Sequence, residues 1–283
     1  MFLNKTSIFA RLDSRYIYNY VCEEDKNSDS RTIFKLKNLS VSEYKECEGY
    51  YLAGFNLGQF TLTALRHGLV GWDNFAYEDG EVIPFDFVNF SAIALENQVE
   101  ISETIFKMAS VEEEIENNIK LILKWSRWLD NAKNKTQWDC EYCNNKNLSN
   151  ARNCDGLHTY KCNRCGSFHT EPYCDECKKQ ISRANFVFRW STKLDDFSNR
   201  CPIALLDPLT VKLVNIVNYC NDSHAVPFSG GAMEQTNFYY HLRTIVLSEQ
   251  NAMLKAELDK DKNKNKPSPT TPSRGMRNVN KGK

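Results

Sequence analysis

The chain has 283 residues, enough for one large domain or two modest ones, and 41% of them are hydrophobic. Its 36 basic and 36 acidic residues cancel and the pI is ≈ 6.9, which argues against a global pull toward nucleic acid or anionic membrane. No run approaches the ~18 apolar residues of a membrane span. Residues 1–10 are apolar too briefly for a signal peptide, so a soluble, intracellular protein is expected.

Residues 15–21 and 32–36 read as strands, and the polar loop at 23–30 suits a hairpin connection. Ser40 or Ser42 is placed to cap a helix running roughly to His67, since Leu52, Phe55, Leu62 and Leu65 recur near helical spacing. Glycines at 49, 54 and 58 allow a break in it. Between 69 and 87, Asp79-Gly80 is a tight-turn signal, and the stretch reads as a short hairpin with Trp72 and Phe75 in the core.

Ile101, Ile105, Met108, Val111, Ile115, Ile119, Ile122, Trp125 and Leu129 then step by three or four, an amphipathic helical stripe. Ser110-Val-Glu-Glu113 matches a capping box, so two helices with a bend near Ser110 are expected. The acids at 112–114 suit a helix start through the macrodipole. The stripe reads as core, with a partner-binding face as its other use. Polar residues 131–137 form a natural boundary. Beyond the cysteine-rich stretch, Asp207-Pro208 opens a helix that fades near Asn221, a loop carries Pro227 and Ser229-Gly-Gly231, and a last helix runs from about Glu234 to Leu258. From Asp259 onward the basic, polar composition predicts disorder.

The strongest chemical signal is three Cys-x-x-Cys knuckles, Cys140/Cys143, Cys162/Cys165 and Cys174/Cys177, with Cys154 between the first two and Cys201 after the last. Such a turn sets two thiolates about one tetrahedral edge apart, and eight sulfurs suffice for two closed four-cysteine zinc sites. A disulfide framework fits poorly, because the cysteine count is odd and eight of the 11 cluster with knuckle spacing. Cys22, Cys47 and Cys220 are left over as free thiols. Cys162, Cys165, Cys174 and Cys177 are self-sufficient by spacing, leaving Cys140, Cys143, Cys154 and Cys201 for a second ion. The rival sharing joins the first two knuckles and gives the third to Cys154 and Cys201, and His158 or His169 can replace a sulfur in either scheme.

Four thiolates around Zn2+ leave a formal charge of about −2, which backbone N–H groups and the cations Arg152, Lys161, Arg164, Lys178 and Lys179 can offset. A full sulfur shell has no open position for water, so both ions are expected to be structural. Phe186, Phe188 and Trp190 alternate onto one face of a strand. They read as a small core over the zinc sites, and their rival use is to stack single-stranded bases. No phosphate-binding Gly-rich loop, His-Glu-x-x-His or Gly-x-Ser-x-Gly is present, and His67, His158, His169, His224 and His241 are scattered, so no enzyme is expected.

The expected fold is α+β. A mostly helical N-terminal domain (1–136) carries a small β hairpin. A zinc-stapled, loop-rich region (137–205) follows, then a helical C-terminal part (206–258) and a disordered basic tail (259–283).

Three stretches, Thr32-Ile-Phe-Lys-Leu-Lys-Asn-Leu-Ser40, Leu65-Arg-His-Gly-Leu-Val-Gly-Trp-Asp-Asn-Phe75 and Glu78-Asp-Gly-Glu-Val-Ile-Pro-Phe85, resemble the tail assembly chaperones of long-tailed bacteriophages. Cys140-Glu-Tyr-Cys143, Arg152-Asn-Cys154, Cys201-Pro202 and Pro227-Phe-Ser-Gly-Gly-Ala-Met-Glu-Gln235 are similar to the Cys-x-x-Cys, Arg-x-Cys, Cys-Pro and Gly-Gly-x-x-x-Gln elements of phage tail-region proteins. The resemblance implies a non-enzymatic chaperone in the infected host's cytoplasm that covers the tape-measure protein and recruits tail-tube subunits. It also makes Cys140, Cys143, Cys154 and Cys201 the ancestral site, with the compact unit inserted. Candidate partner contacts are Trp72, the stripe with Ile115 and Ile119, and the Gly230-Gly231 loop. Two other expectations compete: a zinc-ribbon nucleic-acid-binding regulator using the basic strip at 178–200 and the tail, and a structural component retained in the virion.

Overall fold

The computed structural model describes residues 8–28, 31–52, 56–149, 151–156, 160–162, 164–169, 171, 173–180, 188–190, 197–198 and 200–264. The fold is α+β. Strands β1 (Ile17–Tyr20) and β2 (Ile33–Lys37) pair antiparallel as the expected hairpin, and alternation turns Tyr18, Tyr20, Phe34 and Leu36 inward. Strand β3 (Leu69–Asp73) joins the free side of β2, with a register shift between Lys35 and Leu36. Residues 69–87 are therefore not a self-contained hairpin. Their first strand is taken by the sheet, and the two halves of the stretch are linked by the bridge between Ala76 and Val82 and a few hydrogen bonds around it rather than by a second paired strand. Trp72 lies in the core as expected, and Phe75 is half-buried against it.

The long helix foreseen to His67 does break. It forms α1 (Val41–Leu52) and α2 (Leu57–Gly68). Ser40 rather than Ser42 opens α1. Its hydroxyl accepts from the Glu43 N–H, while the Glu43 carboxylate accepts from the Ser40 N–H at 2.8 Å, a reciprocal capping box. Asn56 caps α2 by accepting from the Gln59 N–H. The last residue of α2 is glycine for a packing reason: a Cβ on Gly68 would lie 2.3 Å from Cγ2 of Ile105 on α3 (Leu95–Met108). The sheet, α1, α2 and α3 enclose the first core, which includes Phe34, Leu36, Leu65, Ile101 and Ile105.

The amphipathic stripe divides where expected, but not by the expected cap. Helix α4 spans Glu113–Asn131 with Glu112 at its N-cap, and the Ser110 hydroxyl bonds back to Phe106 O instead of capping. The corner is closed by Arg11, whose side chain is fully buried. Its guanidinium donates to Met108 O at 2.9 Å, to Lys107 O at 3.2 Å and to Ser110 O, pairs with Glu112 at 2.6 Å, and lies over the Phe238 ring. One cation thus satisfies the open carbonyls at the end of α3 and holds the first residue before α4. Burial lowers the Arg11 pKa against the raising influence of Glu112.

Helix α4 packs against α6 (Pro208–Asp222) and α7 (Asn237–Lys264) around Ile115, Ile119, Ile122, Leu213, Val217, Phe238 and Leu242. The helical C-terminal part therefore shares its core with a helix of the N-terminal part. Two polar contacts fix the join: Asn237 Nδ2 donates to Ala109 O at 2.9 Å, and the Val111 N–H donates to His241 Nδ1 at 3.2 Å. Helix α7 continues past Leu258 to Lys264, so the polar composition from Asp259 does not stop it at once. The remainder of the tail, 265–283, lies outside the described residues. Among the described residues, no helix is long and apolar enough to cross a membrane.

Candidate metal centre

The cysteine region follows α4 and precedes α6 in the chain, and among its described residues no element is longer than the six residues of α5 (Cys140–Asn145). Its strands have two residues each: β4 (Tyr160–Lys161), β5 (Phe168–His169), β6 (Tyr173–Cys174), β7 (Lys179–Gln180), β8 (Phe188–Arg189) and β9 (Phe197–Ser198). They pair as three separate antiparallel ribbons. Pairs this short bury too little to order a chain by themselves.

Two of these ribbons present a knuckle each. In the first, β4 and β5 flank Cys162 and Cys165. Gly166 N–H donates to Cys162 O at 2.9 Å, and Gly166 takes φ +80°, which a glycine reaches without strain. In the second, β6 and β7 flank Cys174 and Cys177, and the position equivalent to Gly166 is Lys178, at φ 46°. The Ser167 hydroxyl donates to Glu176 Oε2 at 3.0 Å and ties one knuckle to the other.

The consequence is that the Cys162, Cys165, Cys174 and Cys177 sulfurs all lie within 4.8 Å of one another, the one such group among the described residues. Cys165 and Cys174 sulfurs are 3.6 Å apart. Sulfurs placed about 2.3 Å from a tetrahedral ion are about 3.8 Å apart, whereas a disulfide needs about 2.05 Å, so the spacing fits a metal and no bond joins the thiols. The compact sharing of sulfurs, not the rival one, is what the backbone builds here.

Backbone dipoles are aimed to hold charge on this cluster. N–H groups of Cys165 and Arg164 point at the Cys162 sulfur and bring its pKa down to about 6. The Ser167 hydroxyl and N–H lower that of Cys165. Loss of hydration raises Cys174 and pushes Cys177 up to about 12, with the neighbouring sulfurs adding to the rise at Cys177. Cys162 is thus prepared as a thiolate and Cys165 is eased toward one, while Cys174 and Cys177 retain protons until a cation displaces them. The four can hold a metal ion, and a full set of sulfurs gives that ion no vacancy for substrate.

Cys140, Cys143, Cys154 and Cys201 come together more loosely. Asp139 caps α5 by accepting from the Glu141 N–H at 3.0 Å, which sets Cys140 and Cys143 in its first turn. The Cys154 thiol is hydrogen-bonded to Cys201 and Cys143, and desolvation followed by the nearness of these two sulfurs pushes it up to about 12. Cys140 is raised by desolvation and by Cys201 and Cys143, with Arg152 acting the other way. Cys143 and Cys201 are buried. Arg200, the end of the basic strip that the nucleic-acid expectation invoked, instead donates from Nε to Cys154 O at 3.1 Å and fixes the return of the chain. The cue for that structural role was only its position beside Cys201.

Of the offsetting cations, Arg152 sits over the Trp138 ring and Arg164 contributes its backbone N–H. His169 Nε2 is buried without a hydrogen-bond partner, and His158 lies outside the described residues. Cys22 and Cys47 are buried, and desolvation pushes both up to about 12, while Cys220 is buried in the second core.

An aromatic knot joins this region to the helical body. Phe188 is buried, with its ring 4.7 Å from Trp128, 5.1 Å from Trp138 and 4.9 Å from Trp190. Trp125 stacks on Trp128 at 5.2 Å. Phe188 is therefore unavailable for stacking a nucleotide base, and the small-core reading of the aromatic strand fits the packing; Phe186 lies outside the described residues.

The proposed partner contacts need correction. Trp72 is 8% exposed and donates from Nε1 to Ile83 O at 2.8 Å. Ile115 and Ile119 are 8% and 0% exposed because α6 and α7 cover that face of α4. The stripe is core, and its partner helices are in the same chain. Gly231 is exposed in its loop, and Gly230 is exposed with φ +114°, beside the Glu234 carboxylate that accepts from Gly231 N–H at 2.9 Å. Gln235 anchors the same loop by donating to Phe228 O at 3.0 Å. No family model, curated protein or solved structure matches this chain.

Proposed function

We propose that this chain is a non-enzymatic assembly chaperone of a long-tailed phage tail, stapled by two structural zinc sites of four cysteines each. Its partners are the tape-measure and tail-tube proteins in the host cytoplasm. The observation that carries the reading is the approach of Cys140, Cys143, Cys154 and Cys201, from three separated stretches, while Cys162, Cys165, Cys174 and Cys177 gather independently. That is the division implied by the resemblance to phage tail-region proteins. The Gly-Gly-x-x-x-Gln element supports it too, since Gln235 is the residue that pins the glycine loop. Closed sulfur shells suit a scaffold rather than a hydrolytic centre.

The test is a nuclease-treated pull-down of tagged protein from infected cells, read by mass spectrometry beside purified virions. Capture of tape-measure or tube protein, with the chain absent from virions, is the expected result. Capture of only nucleic-acid factors would overturn it in favour of a regulator, and abundance in virions would make the chain a structural component. Metal analysis of the purified protein should give two zinc ions per chain.

A further inference from the structure

We propose that the surface formed by residues 76–96 docks a basic amphipathic segment of a partner protein. The inference deepens the chaperone reading by naming the chemistry of the partner, and it moves the contact away from the buried stripe on α4.

Within this stretch Val82 is 72% exposed, Val88 77%, Leu95 67%, Phe87 53% and Phe85 43%. These side chains are held outward by a fixed backbone. Tyr77 N–H donates to Glu81 O and Ile83 N–H to Phe75 O, each at 2.9 Å, around the turn at Gly80. Trp72 Nε1 grips Ile83 O from beneath, and Asn89 Nδ2 donates to Pro84 O at 2.9 Å. Phe85 and Phe87 both lie against the buried Phe90, with ring centroids 5.9 and 5.0 Å away, so the two exposed rings share one buried anchor. Isolated exposed apolar residues are ordinary, but five of them within 14 residues of chain, on a pinned backbone, mark a candidate interaction surface.

Charge identifies the occupant. Between Asp73 and Lys107 there are seven acidic residues, Glu78, Asp79, Glu81, Asp86, Glu96, Glu100 and Glu103, and no Lys, Arg or His. The first five are exposed, and none of those five forms an ion pair with a described cation. In a chain of zero formal net charge this is a local negative field around an apolar patch. It repels nucleic acid, anionic lipid and acidic peptides, and it favours a segment whose apolar face is flanked by Lys or Arg.

The test uses the full zinc-loaded chain and a synthetic helical peptide of about five turns built from Leu and Lys, with a Leu/Glu peptide of the same pattern as control. The Leu/Lys peptide should bind at least about tenfold more tightly, and less so as salt rises. Val88→Asp, at an exposed position, should weaken it about tenfold, and the double variant Glu78→Lys/Glu81→Lys should remove the preference over Leu/Glu, with thermal melts unchanged. Equal affinity for the two peptides, or undiminished binding by Val88→Asp, overturns the proposal. So does peptide binding that emerges only after deletion of 265–283, which makes the chain's own tail the occupant, or self-association that Val88→Asp abolishes. The chaperone reading fails separately. Tail proteins captured equally by wild type and Val88→Asp sink the surface alone, whereas peptide binding as described with no tail protein captured sinks the chaperone alone.

Discussion

Ile119 and Cys174 are both fully enclosed, yet by different means. Ile119 sits among side chains of α4, α6 and α7, each a helix of 15 residues or more with an apolar face turned to its neighbours. Cys174 sits in a two-residue strand, and what converges on it is three other sulfurs. Around Ile119 the hydrophobic effect supplies the stabilisation, at about 25 cal/mol for each Å2 of apolar surface buried. Around Cys174 the ribbons are too short for that, and a metal ion, which the four sulfurs can hold, is the source of order the proposed zinc sites would supply there. On that reading one chain uses two sources of order, joined at the tryptophans of α4.

Removing the metal is the strongest way to break this comparison. Structural zinc in small domains contributes about 10–16 kcal/mol of folding free energy, far beyond what these ribbons bury. Chelation should disorder the cysteine region while α1–α4, α6 and α7 remain folded, and Cys174→Ser should loosen only the ribbons around 160–180. Four of the five tryptophans, 125, 128, 138 and 190, lie in the aromatic knot. Their emission should shift markedly while far-ultraviolet dichroism changes little. Simultaneous loss of the helical signal would mean the two regions are one cooperative unit. The pH dependence follows from the thiols. Cys174 is raised and Cys177 stands at about 12, so at neutral pH an entering cation displaces at least these two protons. Affinity should therefore fall as pH is lowered, about 100-fold per unit near pH 7, measurable by competition with a chelator.

Arg11 sharpens the other half of the comparison. Its guanidinium serves the carbonyls of Lys107, Met108 and Ser110 together with Glu112, so Arg11→Ala leaves several groups at the α3–α4 corner without a donor. The expected cost is about 3–5 kcal/mol in urea denaturation, with metal content per folded chain unchanged.

What could be read in advance divides along the same line. Periodicity exposed the helices because Ile101 to Leu129 repeat at helical spacing, and it exposed β1 and β2 through alternation. Knuckle spacing exposed the sulfurs of 162–177 because the chemistry is local. Long-range choices were not legible. Nothing in Leu69–Asp73 says that β2 is its partner, and the capping box at Ser110 was locally sound but displaced by Arg11, about 100 residues away in sequence. The stripe of α4 was rightly apolar, yet its coverage by α6 and α7 depends on a return of the chain across the whole cysteine region.

Gly68→Ala tests packing within the body on a smaller scale. The added Cβ would meet Ile105 at 2.3 Å, and the branched side chain has little room to retreat in a filled core. Overpacking of this kind costs about 1–3 kcal/mol. A neutral result would show that α2 and α3 slide apart freely, contrary to the tight crossing.

The smallest effect probes the junction itself. Asp207 ends the link from the cysteine region and caps α6, accepting from the Thr210 N–H at 2.8 Å and from the Thr210 hydroxyl at 2.7 Å. Asp207→Ala should cost about 1 kcal/mol, the usual worth of an N-cap. If the two regions draw on separate sources of order, that loss will appear in the urea midpoint of the helical body, and zinc affinity will stay constant. A matching fall in zinc affinity would show instead that the first turn of α6 transmits strain to Cys201, six residues upstream, and the metal and the helices would then have to be treated as coupled.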